Sequence, residues 1–211
     1  MRNNQTASEE YWNTLTHGFG LILSAIGIIV LLFTADLNND LLKYGLILYS
    51  ISILLLYATS TAYHFVEDNK LKRRLRVLDH ISIYILIAGT YSPVVLTLLK
   101  EGNGMLLFYS VWAFALVGTF LKLFFTGRFE VLSLVLYLLM GCLIIFDAPN
   151  VIINFTNLEF TMLVIGGFFY TAGIYFYVKT SLAFNHVIWH VFVIFGSLCH
   201  FLMIYFSVLR I

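Results

Sequence analysis

Five histidines and one aspartate in this chain fall where apolar helices would end at a common level. His186 and His190 are four residues apart, which on an α-helix is about 40° of rotation and about 6 Å of rise, so both imidazoles project from one face. That is metal-chelating spacing. Ser60 and His64 repeat the relation, with a hydroxyl one turn from a third imidazole, and Asp79 and His80 open another apolar stretch. His17 sits at the start of the first. Three neutral imidazoles suit Zn²⁺ and leave one position for water or for Asp79, whose carboxylate would offset a dication in a low dielectric. Singly, each feature has a plainer explanation. A His-x-x-x-His pair fits an interhelical hydrogen bond, and a carboxylate at a helix start fits the dipole. Convergence of several such groups at one depth favours a metal site, with His17 and His80 supporting the ligands from behind.

The elements that must position these groups are membrane spans. Hydrophobic residues make up 61% of the 211 and charged residues 11%, against roughly 45–50% and about 25% in soluble domains. Only two Pro and two Cys are present, with no low-complexity tract, which excludes disordered, collagen-like and disulfide-framework classes. A net charge of +1 provides no basic field for nucleic acid, so membrane lipids are the expected partners. Crossing a hydrocarbon core takes about 20 apolar residues. Seven runs qualify: Leu15–Thr34, Leu41–Phe65, Asp79–Leu99, Met105–Phe125, Val131–Phe146, Phe160–Val178 and Asn185–Leu209. They are continuously apolar, without the alternation of a β-barrel, so helices span. The expected fold is a single seven-helix transmembrane domain over 1–211, all-α, with a short polar segment 1–14 and connections at Glu67–Leu78 and Asp147–Glu159 among others. That segment carries Glu9 and Glu10 and lacks a basic n-region, so the first run reads as a retained helix.

Basic residues orient the bundle. Nine of the 12 Lys and Arg fall on one side (Arg2, Lys70, Lys72, Arg73, Arg74, Arg76, Lys122, Arg128, Lys179) and three on the other (Lys43, Lys100, Arg210). The N-terminus is therefore expected in the cytoplasm, the C-terminus outside, and the histidine cluster near the cytoplasmic side. His200 lies roughly 15 Å beyond His190 along the same helix and cannot join the same ion. Asn13, His17, Gly20, Ser24 and Gly27 form a stripe for close helix packing. Cys142 and Cys199 are expected as buried thiols without a disulfide, and Pro93 as a kink in the third span.

These residues, in this order, resemble the hemolysin III family, the bacterial branch of the progestin and adipoQ receptor superfamily. The resemblance rests on Glu10, Asn13 and Thr16-His17-Gly18, on Ser60-x-x-x-His64, and on Leu78-Asp79-His80 followed by Gly89-Thr90-Tyr91-Ser92-Pro93. The seventh run adds His186-x-x-x-His190 and His200. It implies a seven-helix, multi-pass protein of the bacterial plasma membrane with a cytoplasmic N-terminus. It also implies one Zn²⁺ per chain held by His64, His186 and His190, with Ser60 and Asp79 around a bound water. The superfamily is similar to alkaline ceramidases, which implies metal-dependent hydrolysis of a lipid amide or ester, with Asp79 and Ser60 catalytic, in membrane lipid or energy homeostasis. A non-enzymatic sensor or regulator of membrane state with a structural zinc is the alternative, and a pore-forming haemolysin a third.

Overall fold

Polar residues at the ends of the apolar runs decide where each helix begins. Thr6 and Glu9 form a capping box at the start of α1 (Ala7–Thr34), and the Asn39 side chain caps α2 (Asp40–Phe65). Asp68 accepts from the Leu71 N–H at 2.7 Å to open α3 (Asn69–Thr97). There follow α4 (Gly104–Phe125), α5 (Glu130–Cys142), a 3₁₀ turn over Leu143–Asp147, α6 (Ala148–Asn154), α7 (Asn157–Val178) and α8 (Asn185–Val208). The computed structural model describes residues 5–211. Arg2, one of the nine basic residues counted on one side, lies outside them. Seven helical units are long and apolar enough to cross a membrane, α5 and α6 counting as one, and no strand occurs among the described residues.

Three boundaries differ from the sequence expectation. The first helix starts at Ala7 instead of Leu15, because the Thr6–Glu9 capping box opens it within the segment expected to be a polar lead. The third span starts at Asn69 instead of Asp79, so the basic run Lys70–Arg76 is the first turns of α3, started by the Asp68 cap. The fifth reaches from Glu130 to Asn154, 25 residues, and the expected loop after Phe146 is largely helix. Asp147 resembled a helix end because it is charged. It is instead buried, accepting from the Asn103 N–H at 3.1 Å, Asn103 Nδ2 at 3.1 Å and Asn150 Nδ2 at 2.7 Å, while Pro149 is tolerated in the first turn of α6.

The most extensive packing joins α2 to α3 and α7 to α8, with α4 against α3 and α1 against α2 and α8. Tyr49, Ile53 and Tyr57 of α2, Val94 and Val95 of α3, and Val193 and Ile204 of α8 form the main core. Ile22, Ile26 and Phe33 on α1 and Leu116, Phe120 and Phe124 on α4 are more than half exposed, faces that suit lipid and would aggregate in water. Close approach of α2 and α3 depends on Gly45: a Cβ there would stand 2.6 Å from Pro93 Cα, and backbone cannot yield as a side-chain tip can. Gly45→Val is expected to cost about 1–3 kcal/mol through overpacking, read as a lowered melting temperature in detergent by circular dichroism.

One end of the bundle collects the start of α1, the end of α2, the starts of α3 and α8 and the α4–α5 connection, as shown by the contacts of Glu10 with His64 and Lys72, of Glu9 with Phe184, and of Glu130 with Lys122 and Arg76. The opposite end is closed by Arg210, which forks onto buried Glu159 at 2.8 Å through both Nε and Nη2.

Candidate metal centre

His64 occupies the last turn of α2, and His186 and His190 the first two turns of α8. The start of α8 is pinned from two sides. Phe184, left-handed at φ 56°, donates its N–H to Glu9 Oε1 at 2.9 Å, and Asn185 Nδ2 donates to the Phe176 carbonyl at 2.9 Å. One nitrogen from each of His64, His186 and His190 lies within 4.8 Å of the others, and all three residues are buried. Ring centroids are 5.2 Å apart for His64–His186, 5.0 Å for His64–His190 and 4.6 Å for His186–His190.

Hydrogen bonds show which nitrogens are free. His64 Nδ1 lies 2.7 Å from Glu10 Oε2. An ionised carboxylate only accepts, so Nδ1 carries the proton, and Nε2 is a bare lone pair, buried and without a partner. His190 Nδ1 lies 3.3 Å from Thr16 Oγ1, whose single hydrogen is directed to the carbonyls of Trp12 at 2.9 Å and Asn13 at 3.0 Å. The hydroxyl therefore accepts from His190 Nδ1–H, and His190 Nε2 is the free donor atom. Interhelical hydrogen bonding thus uses the outer nitrogens of both rings and leaves the inner ones available. An orphaned buried imidazole nitrogen beside two further imidazoles fits a borderline cation such as Zn²⁺, for which neutral His is a common ligand.

The remaining candidates surround this group without joining it. His17 stacks on His190, centroids 3.5 Å apart and planes 15° from parallel, with neither ring nitrogen partnered. Ser60 Oγ is buried and unpartnered. Asp79 Oδ2 is 3.5 Å from His80 Nδ1, which is also 2.8 Å from the Arg76 carbonyl. His17, Ser60, Asp79, His80, His186 and His190 all line one cavity of 580 Å³, within the ~300–1,000 Å³ of small-molecule sites. From these polar groups it extends along Ile87, Tyr91 and Val94 of α3, Leu134 and Leu138 of α5 and Val164 and Ile174 of α7, as far as Met203 of α8. Its flanks, α5 and α7, pack against other helices: α5 on α3 and α4, α7 on α8.

His200 is remote from the triad, half-buried, with Nε2 3.3 Å from the Leu163 carbonyl. Cys199 is buried as expected. Cys142 is exposed and borders the cavity, a correction: it ends α5 on a face shared with the exposed Leu138 and Leu139. Sequence reasoning gave no contact role to Glu10, Thr16 or Lys72. A signal existed: Glu10, Asn13 and His17 are spaced 3 and 4 apart, so Glu10 shares the face of His17 one helical end from the cluster.

Seven membrane-length helices around a buried histidine triad define a multi-pass membrane protein with a candidate metal centre. The chain belongs to the haemolysin-III-related family, whose model matches residues 5–201. It is 37% identical over 207 residues to the hemolysin-3 homolog of Bacillus subtilis (strain 168), covering 98% of this chain and 97% of that protein. It is 38% identical over 209 residues to hemolysin-3 of Bacillus cereus, covering 99% and 95%. A human relative, the monocyte to macrophage differentiation factor, is 27% identical over 212 residues, covering 97% and 86%, and supports the wider progestin and adipoQ receptor superfamily. No solved structure matches the chain significantly.

Proposed function

We propose that this protein is a membrane-embedded, zinc-dependent hydrolase of lipid amides or esters, a single seven-helix domain of the bacterial plasma membrane acting in lipid or energy homeostasis. The observation that carries the reading is the continuity of His186 and His190 of the triad, Ser60 and Asp79 with a long, mainly apolar cavity. An acyl chain fits such a lining, and its polar junction would lie beside the triad. Among the described residues, eight basic residues stand at the triad's end of the bundle and three at the other, which supports placing the site on the cytoplasmic side.

His64, His186 and His190 would hold one ion per chain. When bound, zinc lowers the pKa of water and polarises a carbonyl. Asp79 lines the same chamber outside the converging set, free to accept a proton as general base. Ser60, buried with an uncommitted hydroxyl, can donate to an oxyanion or orient the attacking water. His17 holds the His190 ring by stacking, and His80 lies against Asp79.

A closed structural zinc in a non-enzymatic membrane-state regulator needs a fourth protein ligand, and Asp79 does not converge with the triad, which favours the open, catalytic arrangement. The names of the Bacillus relatives invite a pore, but a mainly apolar cavity lining supports no ion path.

The test is turnover of a ceramide and phospholipid panel by zinc-loaded protein in detergent. Wild type is expected to hydrolyse at least one member. Asp79→Asn is expected to lower kcat roughly 10²–10⁴-fold while zinc content stays that of wild type. No hydrolysis of any member, with zinc bound, removes the hydrolase and leaves the regulator.

A further inference from the structure

The base of the triad is built by the first turns of α1. Glu10 sits between two groups: its Oε2 is 2.7 Å from His64 Nδ1, and its Oε1 is 3.0 Å from Lys72 Nζ. The His64 side chain is fully buried, whereas those of Glu10 and Lys72 are each 23% exposed, so the arrangement runs from solvent inward to the ligand. Lys72 is itself held, 3.3 Å from the Val66 carbonyl and 5.2 Å from the Tyr63 ring centroid. An imidazole without a partner at Nδ1 places its proton on either nitrogen, and only one tautomer presents Nε2 as a ligand. A carboxylate on Nδ1 removes that ambiguity, fixes the ring plane and raises the basicity of the far nitrogen.

We infer that Glu10 is a positioning residue of the metal centre: it holds His64 as the Nδ1–H tautomer with Nε2 directed at the ion, and Lys72 holds the Glu10 carboxylate in turn. This rests on the metal reading above. The three residues come from three helices, α1, α2 and α3, so docking of the α1 start and ligand geometry are coupled. Glu9 adds to this from the neighbouring position by accepting the Phe184 N–H two residues before His186. The carboxylate pair Glu9-Glu10 thereby grips both ligand-bearing helices.

The experiment combines zinc affinity by chelator competition with ¹⁵N-histidine NMR of the metal-free protein, on full-length wild type, Glu10→Ala, Glu10→Gln and Lys72→Met in detergent. Wild type is expected to show His64 protonated at Nδ1. Glu10→Ala is expected to show mixed tautomers and zinc binding weaker by roughly 10–100-fold. Glu10→Gln keeps an acceptor for Nδ1–H and is expected to restore the tautomer and most of the affinity, which a merely structural loss would not. Lys72→Met is expected between wild type and Glu10→Ala. A His64 protonated at Nε2 in wild type overturns the inference even if Glu10→Ala fails to fold. Tight wild-type binding with unchanged affinity in Glu10→Ala overturns it alone, and unchanged affinity in Lys72→Met removes the part given to Lys72. Absence of zinc binding by wild type overturns the metal reading and this inference together.

Discussion

The double substitution His186→Ala/His190→Ala is expected to reduce zinc from about one ion per chain, the occupancy of a single site, to background. The reason is geometric. These residues supply two of the three nitrogens that converge within 4.8 Å, and Ser60 and His17 cannot replace both, since one carries only a hydroxyl and the other is a single imidazole. Elemental mass spectrometry on detergent-purified protein is the measurement, with helical circular dichroism confirming that the variant retains its fold. The expectation of a retained fold is physical: the main core around Tyr49, Ile53, Val95 and Ile204 contains neither substituted histidine. Equal zinc in both proteins would place the ion elsewhere. No zinc in either, even after loading, would leave the histidines as hydrogen-bonding groups whose inner nitrogens serve no ligand.

A comparably large effect is expected at Glu130. Lys122 is buried to 1% exposure in α4, and its ammonium is 2.7 Å from Glu130 Oε2. Glu130 also accepts from the Gly127 N–H at 3.0 Å, which ties the α4–α5 connection to the start of α5, and has Arg76 at 4.0 Å. Glu130→Ala would leave the Lys122 charge in a low dielectric without its carboxylate, a loss of about 3–5 kcal/mol for a broken buried pair. The expected readout is a markedly lower melting temperature in detergent. Lys122→Met/Glu130→Leu, which removes both charges and keeps apolar volume, is expected to recover most of the loss, because well-packed apolar residues often replace buried pairs without penalty. A double variant as unstable as Glu130→Ala would assign the effect to the Gly127 contact instead.

Much of this architecture was legible in the chain. Spans follow from length and apolarity, because lipid forces every backbone polar group into a helix and leaves few other solutions. Convergence of His64 with His186 and His190 followed from short connections that bring alternate helix ends to one level. Span limits were less legible. Asp147 marks an end by sequence, yet Asn103 and Asn150 satisfy its charge within the bundle, and Asp68 starts α3 ten residues before the apolar run begins. Local patterns cannot register such partners, since they arrive from other segments or from a single cap.

The ligand types, their helical spacing and the seven spans were thus decided by the sequence itself, through periodicity and hydropathy that need no tertiary contact. Which nitrogen of His64 and of His190 is left free was decided only by tertiary structure. It depends on Glu10 and Thr16 of α1 reaching His64 on α2 and His190 on α8, 54 and 174 residues distant along the chain. Tertiary structure alone also leaves Asp79 outside the converging set. A sequence records which groups share a helix face, but proton placement and ligand geometry are properties of ångström distances between faces, and those are set by how the helices pack.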